Sequence, residues 1–146
     1  MNKIKTIIVF LFVPFFVLIT VVFLQIKKKE EFRQKVVLAQ EVRKALYFLM
    51  FDLREAHEST VLDVPPDGLW HSRIAFDEAT QGVLEYFIRE GQLVRVNGGK
   101  TLLIADHMGG LRIRRQKMTP DIIEVQVTAH KNVSLTSYLK IKILRN

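Results

Sequence analysis

The sequence predicts an α+β protein in which one long N-terminal helix, apolar in its first half and amphipathic in its second, packs on one face of an antiparallel β-sheet. Three observations predict it. Thr6 to Leu24 runs for 19 residues without a charge. From Phe32 to Ala56 apolar residues recur at steps of three and four, and from Arg73 onward the apolar period changes to two.

The uncharged run, TIIVFLFVPFFVLITVVFL, would extend roughly 28 Å as a helix at about 1.5 Å per residue, the thickness of a bilayer core. Lys3 and Lys5 precede it and Lys27, Lys28 and Lys29 follow it, where cations meet lipid phosphates. These five account for most of the formal charge of +7: of 22 Lys and Arg, 17 remain from Glu30 onward against all 15 Asp and Glu, a net of +2. The basic balance is therefore a membrane-flank signature, and no nucleic-acid partner is expected. A cleaved secretory signal is the rival reading. Such apolar regions are shorter and end at small residues, whereas this one ends Val-Val-Phe-Leu-Gln-Ile. The chain has no cysteine, which excludes a lipoprotein anchor, disulfide staples and thiolate chemistry. A short N-terminus before a folded C-terminal portion predicts an N-inside, C-outside single-pass protein, with membrane lipid as a partner. Pro14 lacks an N–H and its ring clashes with the preceding turn, so a bend is expected there, either a simple kink or a point where the helix melts.

The second half of the helix carries its stripe at Phe32, Val36, Ala39, Val42, Leu46, Leu49, Leu53 and Ala56. Arg33, Lys35, Glu41, Arg43 and Lys44 fall on its solvated side. No Gly or Pro occurs between Pro14 and Pro65, so one helix from about Ile4 to about Glu58 is predicted. The apolar crowd LYFLMF from Leu46 to Phe51 calls for a large cover, which a sheet would supply. This gives three segments: residues 1–29, the membrane helix with its basic flanks; 30–58, its amphipathic continuation; and 59–146, the sheet domain.

Ser59 to Ser72, with Pro65-Pro66 and Asp67-Gly68, reads as a connecting loop. Strands are expected at Arg73–Phe76, Val83–Ile88, Gln92–Val96 and Thr101–Ala105. Three more follow around Leu111 and Ile113, around Ile123, Val125 and Val127, and around Leu139, Ile141 and Ile143. Arg89-Glu90-Gly91 supplies a hairpin turn, and Asn97-Gly98-Gly99 punctuates the next connection. Alternation of apolar with polar residues marks a sheet covered on one side only.

Chemistry-bearing motifs are sparse. His57, His71, His107 and His130 have no metal-ligand spacing, so no metal is expected. Asp63 and Asp67 bracket two prolines and could share a calcium ion, but the loop lacks the dense carboxylates a hard cation wants. Ser59 and Thr60 sit in no nucleophile elbow, and Gly98-Gly99-Lys100-Thr101 lacks the spacing of a phosphate loop. Arg112, Arg114, Arg115 and Lys117 could touch phosphates or an acidic partner, yet no aromatic residue is interleaved for base stacking, and cations on a strand's outer face also suppress edge pairing. The reading is a non-enzyme without cofactor or small-molecule substrate.

A long helix, membrane-embedded in its first half and sheet-packed in its second, resembles the type IV pilin fold. Asp52-Leu53-Arg54-Glu55-Ala56 is similar to the D-L-R-x-A run of minor pseudopilin J of type II secretion and of related minor pilins. Tyr86 with Gly91, Leu93 and Arg95 resembles that family's Y-x-apolar-x-x-G-x-L-x-R hairpin. Ile104-Ala105-Asp106 through Leu111 and Ile113, and the closing Leu144-Arg145-Asn146, resemble its later segments. The resemblance covers roughly Gln40 to Asn146 and departs from the family at the N-terminus. Lys3-Ile4-Lys5-Thr6-Ile7 holds no glycine, and no acidic residue precedes Glu30, where members carry a glycine cleavage site and a buried carboxylate.

The resemblance implies an inner-membrane, minor pilin-like or pseudopilin-like structural subunit of a type II secretion or type IV pilus system, with a periplasmic domain and other such subunits as partners. A subunit without the buried carboxylate would suit a filament tip, with nothing above to register against, or would be one that never enters a filament. Phe32, Val36, Val42, Leu46, Leu49 and Leu53 are the expected packing residues. An assembly-platform protein that stays in the bilayer and binds a partner is the alternative.

Overall fold

The computed structural model describes the backbone of residues 2–57, 60–78 and 82–144, and the side chains of 15–57, 60–77 and 82–144. The chain is α+β. One helix, α1 (Asn2–Glu55), precedes seven strands: β1 (Arg73–Glu78), β2 (Gly82–Arg89), β3 (Gln92–Asn97), β4 (Lys100–Ala105), β5 (Met108–Arg115), β6 (Ile122–His130) and β7 (Ser134–Lys142). By its internal contacts the chain divides into two units, one ending at Gln34 and one beginning at Lys35.

In the first unit, every large apolar side chain from Phe15 to Ile26 is exposed. Thr20 donates its hydroxyl to the carbonyl of Phe16 at 2.8 Å, so this polar group is satisfied within its own helix. Among the described residues no helix is long and apolar enough to cross a membrane. Of the expected span Thr6–Leu24, the side chains of residues 6–14 lie outside the described residues, and that of Pro14 is among them.

In the second unit the helix does pack on antiparallel strands, but the single sheet expected from the sequence is two sheets. One has the order β1-β2-β3-β4 and the other β5-β6-β7. The break falls at Asp106-His107, where His107 takes a left-handed backbone (φ 58°) and β5 turns away from β4 to pair with β6. A bridge between His71 and Ile113 and a hydrogen bond from Met108 N–H to the Gly91 carbonyl (2.7 Å) tie the sheets together.

One core lies between α1 and the inner faces of both sheets, including Leu49, Leu53, Tyr86, Leu93, Ile113, Val125 and Ile143. The buried line along α1 is Leu38, Val42, Ala45, Leu49, Leu53 and Ala56. This corrects the stripe drawn from sequence. Val42, Leu49, Leu53 and Ala56 are buried and Leu46 partly so, but Val36 is 41% exposed and Phe32, in the first unit, 68%. Two overlapping three-and-four patterns run along this helix, about a quarter turn apart. The one with Leu38 and Ala45 is buried against the sheets, and of the other Leu46 packs at the margin of the core.

The helix ends by tertiary capture rather than at a glycine. Ala56 accepts a hydrogen bond from Leu144 N–H (3.0 Å), and the following residue, His57, bridges to Leu144 in parallel. The Thr60 hydroxyl closes the turn on the His57 carbonyl at 2.8 Å.

The β2–β3 hairpin turns on Glu90 and Gly91, with φ of 52° and 74°. Two central residues at positive φ make the turn whose twist matches that of the flanking strands. Glycine at 91 adopts this freely, whereas glutamate at 90 does so at a cost. Glu90→Asn is expected to stabilise the domain by about 0.5 kcal/mol, and Gly91→Ala to destabilise it by about 1 kcal/mol although its methyl would meet nothing. Urea titration of the two variants measures both shifts.

Candidate functional site

Three of the residues on which the family resemblance rests, Asp52, Tyr86 and Arg95, meet in the structure. Asp52 lies in the last turns of α1, while Tyr86 on β2 and Arg95 on β3 are direct cross-strand partners. Both side chains reach the same Asp52 oxygen, the Tyr86 hydroxyl donating at 2.5 Å and Arg95 Nε at 2.7 Å. The side chain of Asp52 is 8% exposed and that of Arg95 20%, and Tyr86 is fully buried. A carboxylate in such a place is stable only when paired and hydrogen-bonded, which it is. Leu93, also fully buried, packs in the same core, Gly91 forms the turn between the two strands, and Ala56 accepts the N–H of Leu144, two residues past the end of β7. Arg54 is exposed and takes no part.

A second acidic residue of α1 touches the same sheet. Glu41 accepts the backbone N–H of Asp106 at 2.7 Å, just past β4, and Asp106 in turn accepts from the Gln92 side chain at 2.9 Å. Glu41 and Asp52 are eleven residues apart, about three full turns, so they fall on one side of the helix. Glu41 holds the backbone just past β4 and Asp52 holds the β2–β3 pair, and Ala45 and Leu49, between them on α1, are buried. The sequence reading placed Glu41 on the solvated side. What it missed is that this flank faces the end of a strand, and nothing in the local pattern signals that.

The arrangement fastens α1 to the β2–β3 hairpin. Burial first, and the Asp52 carboxylate second, push the Tyr86 phenol well above its ordinary value of 10.0. The native state therefore keeps the phenol protonated where the unfolded chain would release the proton. This contribution is complete below about pH 10 and is lost as pH rises from there toward the folded value. Stability measured by urea at pH 9 and pH 11 is expected to fall between the two. Tyr86→Phe, which has no proton to lose, should show a smaller fall.

The basic run is absorbed differently. Arg114 donates to Glu124 at 2.5 Å and lies 4.5 Å from the Trp70 ring centre. Arg115 is buried and donates to the carbonyls of Pro120 and Val64 at 2.9 and 3.3 Å. Lys140 and Arg114 both hold Glu124, Lys140 at 2.9 Å, and keep its carboxyl below the usual range against the opposing effect of burial. Arg112 and Lys117 are exposed.

In the loop after the helix, Asp63 accepts Arg73 Nε (2.7 Å) and the Ala75 N–H (2.5 Å). Asp67 accepts the Leu69 N–H at 2.8 Å, which chiefly lowers its pKa. Both carboxylates are thus engaged within the fold, and among the described residues no group of three or more His, Asp or Glu side chains is placed to hold a metal ion. The histidines are dispersed, His71 lying 3.6 Å from Asp67 and His130 bonding Ser134 at 2.7 Å.

No protein-family model matches this chain, and no match was found to it among curated proteins or among solved structures.

Proposed function

We propose that the chain is a non-enzymatic, minor pilin-like or pseudopilin-like subunit, anchored in the inner membrane by Thr6–Leu24, that works by packing its helix against other such helices. The observation that carries this reading is the Asp52–Tyr86–Arg95 latch. Two short segments, each resembling a family motif and separated by more than thirty residues, meet in one buried hydrogen-bonded group that fastens a long helix to a hairpin. The helix also bears a belt of exposed apolar side chains from Phe15 to Ile26, which water does not favour and lipid or neighbouring helices would cover. Phe32 and Val36, exposed on the same helix, are contact residues for neighbours in this reading. The domain that follows would lie on the periplasmic side.

One observation favours the second reading, an assembly-platform protein that remains in the bilayer. No carboxylate occurs before Glu30 to register the helix against a neighbour's amino terminus in lipid. Fractionation separates the two. A filament subunit appears in sheared surface fibres or co-purifies with other pseudopilins, and a platform protein stays in the membrane pellet. Recovery in neither fraction overturns both.

A further inference from the structure

The two sheets have four outer strands, and three of them are blunted. β1 is covered by a bridge between Val61 and Phe76 and by the Asp63 carboxylate on Ala75 N–H. β4 is short, its pairing with β3 slips between Leu93 and Val94, and Glu41 caps the residue after it. β5 is engaged by His71 at Ile113. The fourth, β7, is different. It runs nine residues without proline, pairs with β6 in unbroken register, and offers its other edge to nothing among the described residues. Alternate residues of such a strand leave N–H and C=O groups unpaired along that edge.

Beside this edge lies a groove of about 450 Å³, walled by α1 through Ala39, Leu46 and Met50 and by β7 through Leu135, Ser137 and Leu139. The inward-facing row of β6 is buried throughout, whereas these β7 residues are only partly buried, so the apolar layer stops one strand short. On α1 the groove occupies the flank opposite Glu41 and Asp52. Arg43 is the one charged residue lining it and makes no ion pair among the described residues. The nearby lysines of β7 are committed elsewhere, Lys140 to Glu124 and Lys142 toward Asp121.

We propose that this groove receives an extended segment of a partner protein, which adds to β7 as an eighth strand, buries alternate apolar side chains against Leu46, Met50 and Leu139, and sets a carboxylate against Arg43. The open row of backbone groups selects a strand over a compact apolar ligand, which would leave those groups unpaired. A second copy of β7 fits less well, because Ser134 to Lys142 contains no acidic residue to bring to Arg43. The inference goes beyond the filament reading and stands on the groove alone.

The test uses the full chain in detergent with a fluorescent nonapeptide of alternating valine and threonine carrying a central glutamate. Binding is followed by anisotropy and by hydrogen exchange of the β7 amides. The peptide is expected to slow exchange along β7. Methylating two alternate backbone nitrogens of the peptide that face β7 should weaken binding about tenfold, the loss of two ordinary hydrogen bonds. Arg43→Glu, an exposed substitution that leaves the fold intact, should invert the preference between the glutamate peptide and its lysine counterpart. Absence of β7 protection, equal binding of the methylated peptide, or β7 protection that rises with protein concentration alone would each overturn the proposal, the last in favour of a second copy.

Discussion

Replacing Asp52 with alanine is expected to destabilise the unit from Lys35 onward by about 3 kcal/mol, because it strands two groups at once. The Tyr86 hydroxyl and the Arg95 guanidinium both lose their acceptor in a site from which water is largely excluded. An unpaired buried hydroxyl costs about 1–3 kcal/mol and a buried charge more, offset here by the partial exposure of Arg95. For a unit of this size the loss corresponds to a fall in Tm of roughly 10–15 °C, measurable by calorimetry. Removing all three partners together, with Asp52→Leu, Tyr86→Phe and Arg95→Met, should cost much less than the single change, since no polar group is then left without a partner. If the single variant is as stable as the parent, the latch does not fasten the helix.

The second large effect separates folding from assembly along one helix. Leu49 is fully buried between α1 and the sheets, and Leu49→Ala is expected to cost about 3 kcal/mol through lost burial and the cavity left behind. Phe32 is exposed, and Phe32→Ala should change stability by less than about 0.5 kcal/mol. The filament reading reverses the order for incorporation into sheared fibres. Phe32→Ala should lower it while the domain stays fully folded. A Phe32→Ala variant that folds and assembles like the parent would remove the helix-packing basis of the proposed function.

The long helix was legible because fifty residues passed without a glycine or proline. The β2–β3 hairpin was legible because Gly91 sits between two alternating runs. The buried face was not. Phe32, Val36, Ala39 and Leu46 satisfy the same spacing as Leu38, Val42, Ala45 and Leu49, and hydropathy prefers a phenylalanine to an alanine. The choice is made by which face the sheets reach, and Ala45 wins because of where the strands lie. The division into two sheets was equally hidden. Asp106-His107 has no turn glycine, yet His107 takes a positive φ there and its carbonyl accepts the His130 N–H from β6. Asp52, Tyr86 and Arg95 were singled out only by family likeness. Neither spacing nor composition says that residues on a helix and on two strands share one oxygen. The open edge of β7 was invisible for a related reason, since an alternating strand reads the same whether one or both sides are paired.

In the proposed function the helix packs against other helices of the same kind through residues the fold itself leaves bare. The chain contains no cysteine, so Phe32→Cys introduces a single thiol. Cross-linking that thiol in intact membranes, with Met118→Cys on the exposed surface of the domain as control, measures the contact directly. Adducts with other pilin-like subunits are expected from position 32 and none from position 118. Equal adduct patterns from the two positions, or none from either, would contradict that packing.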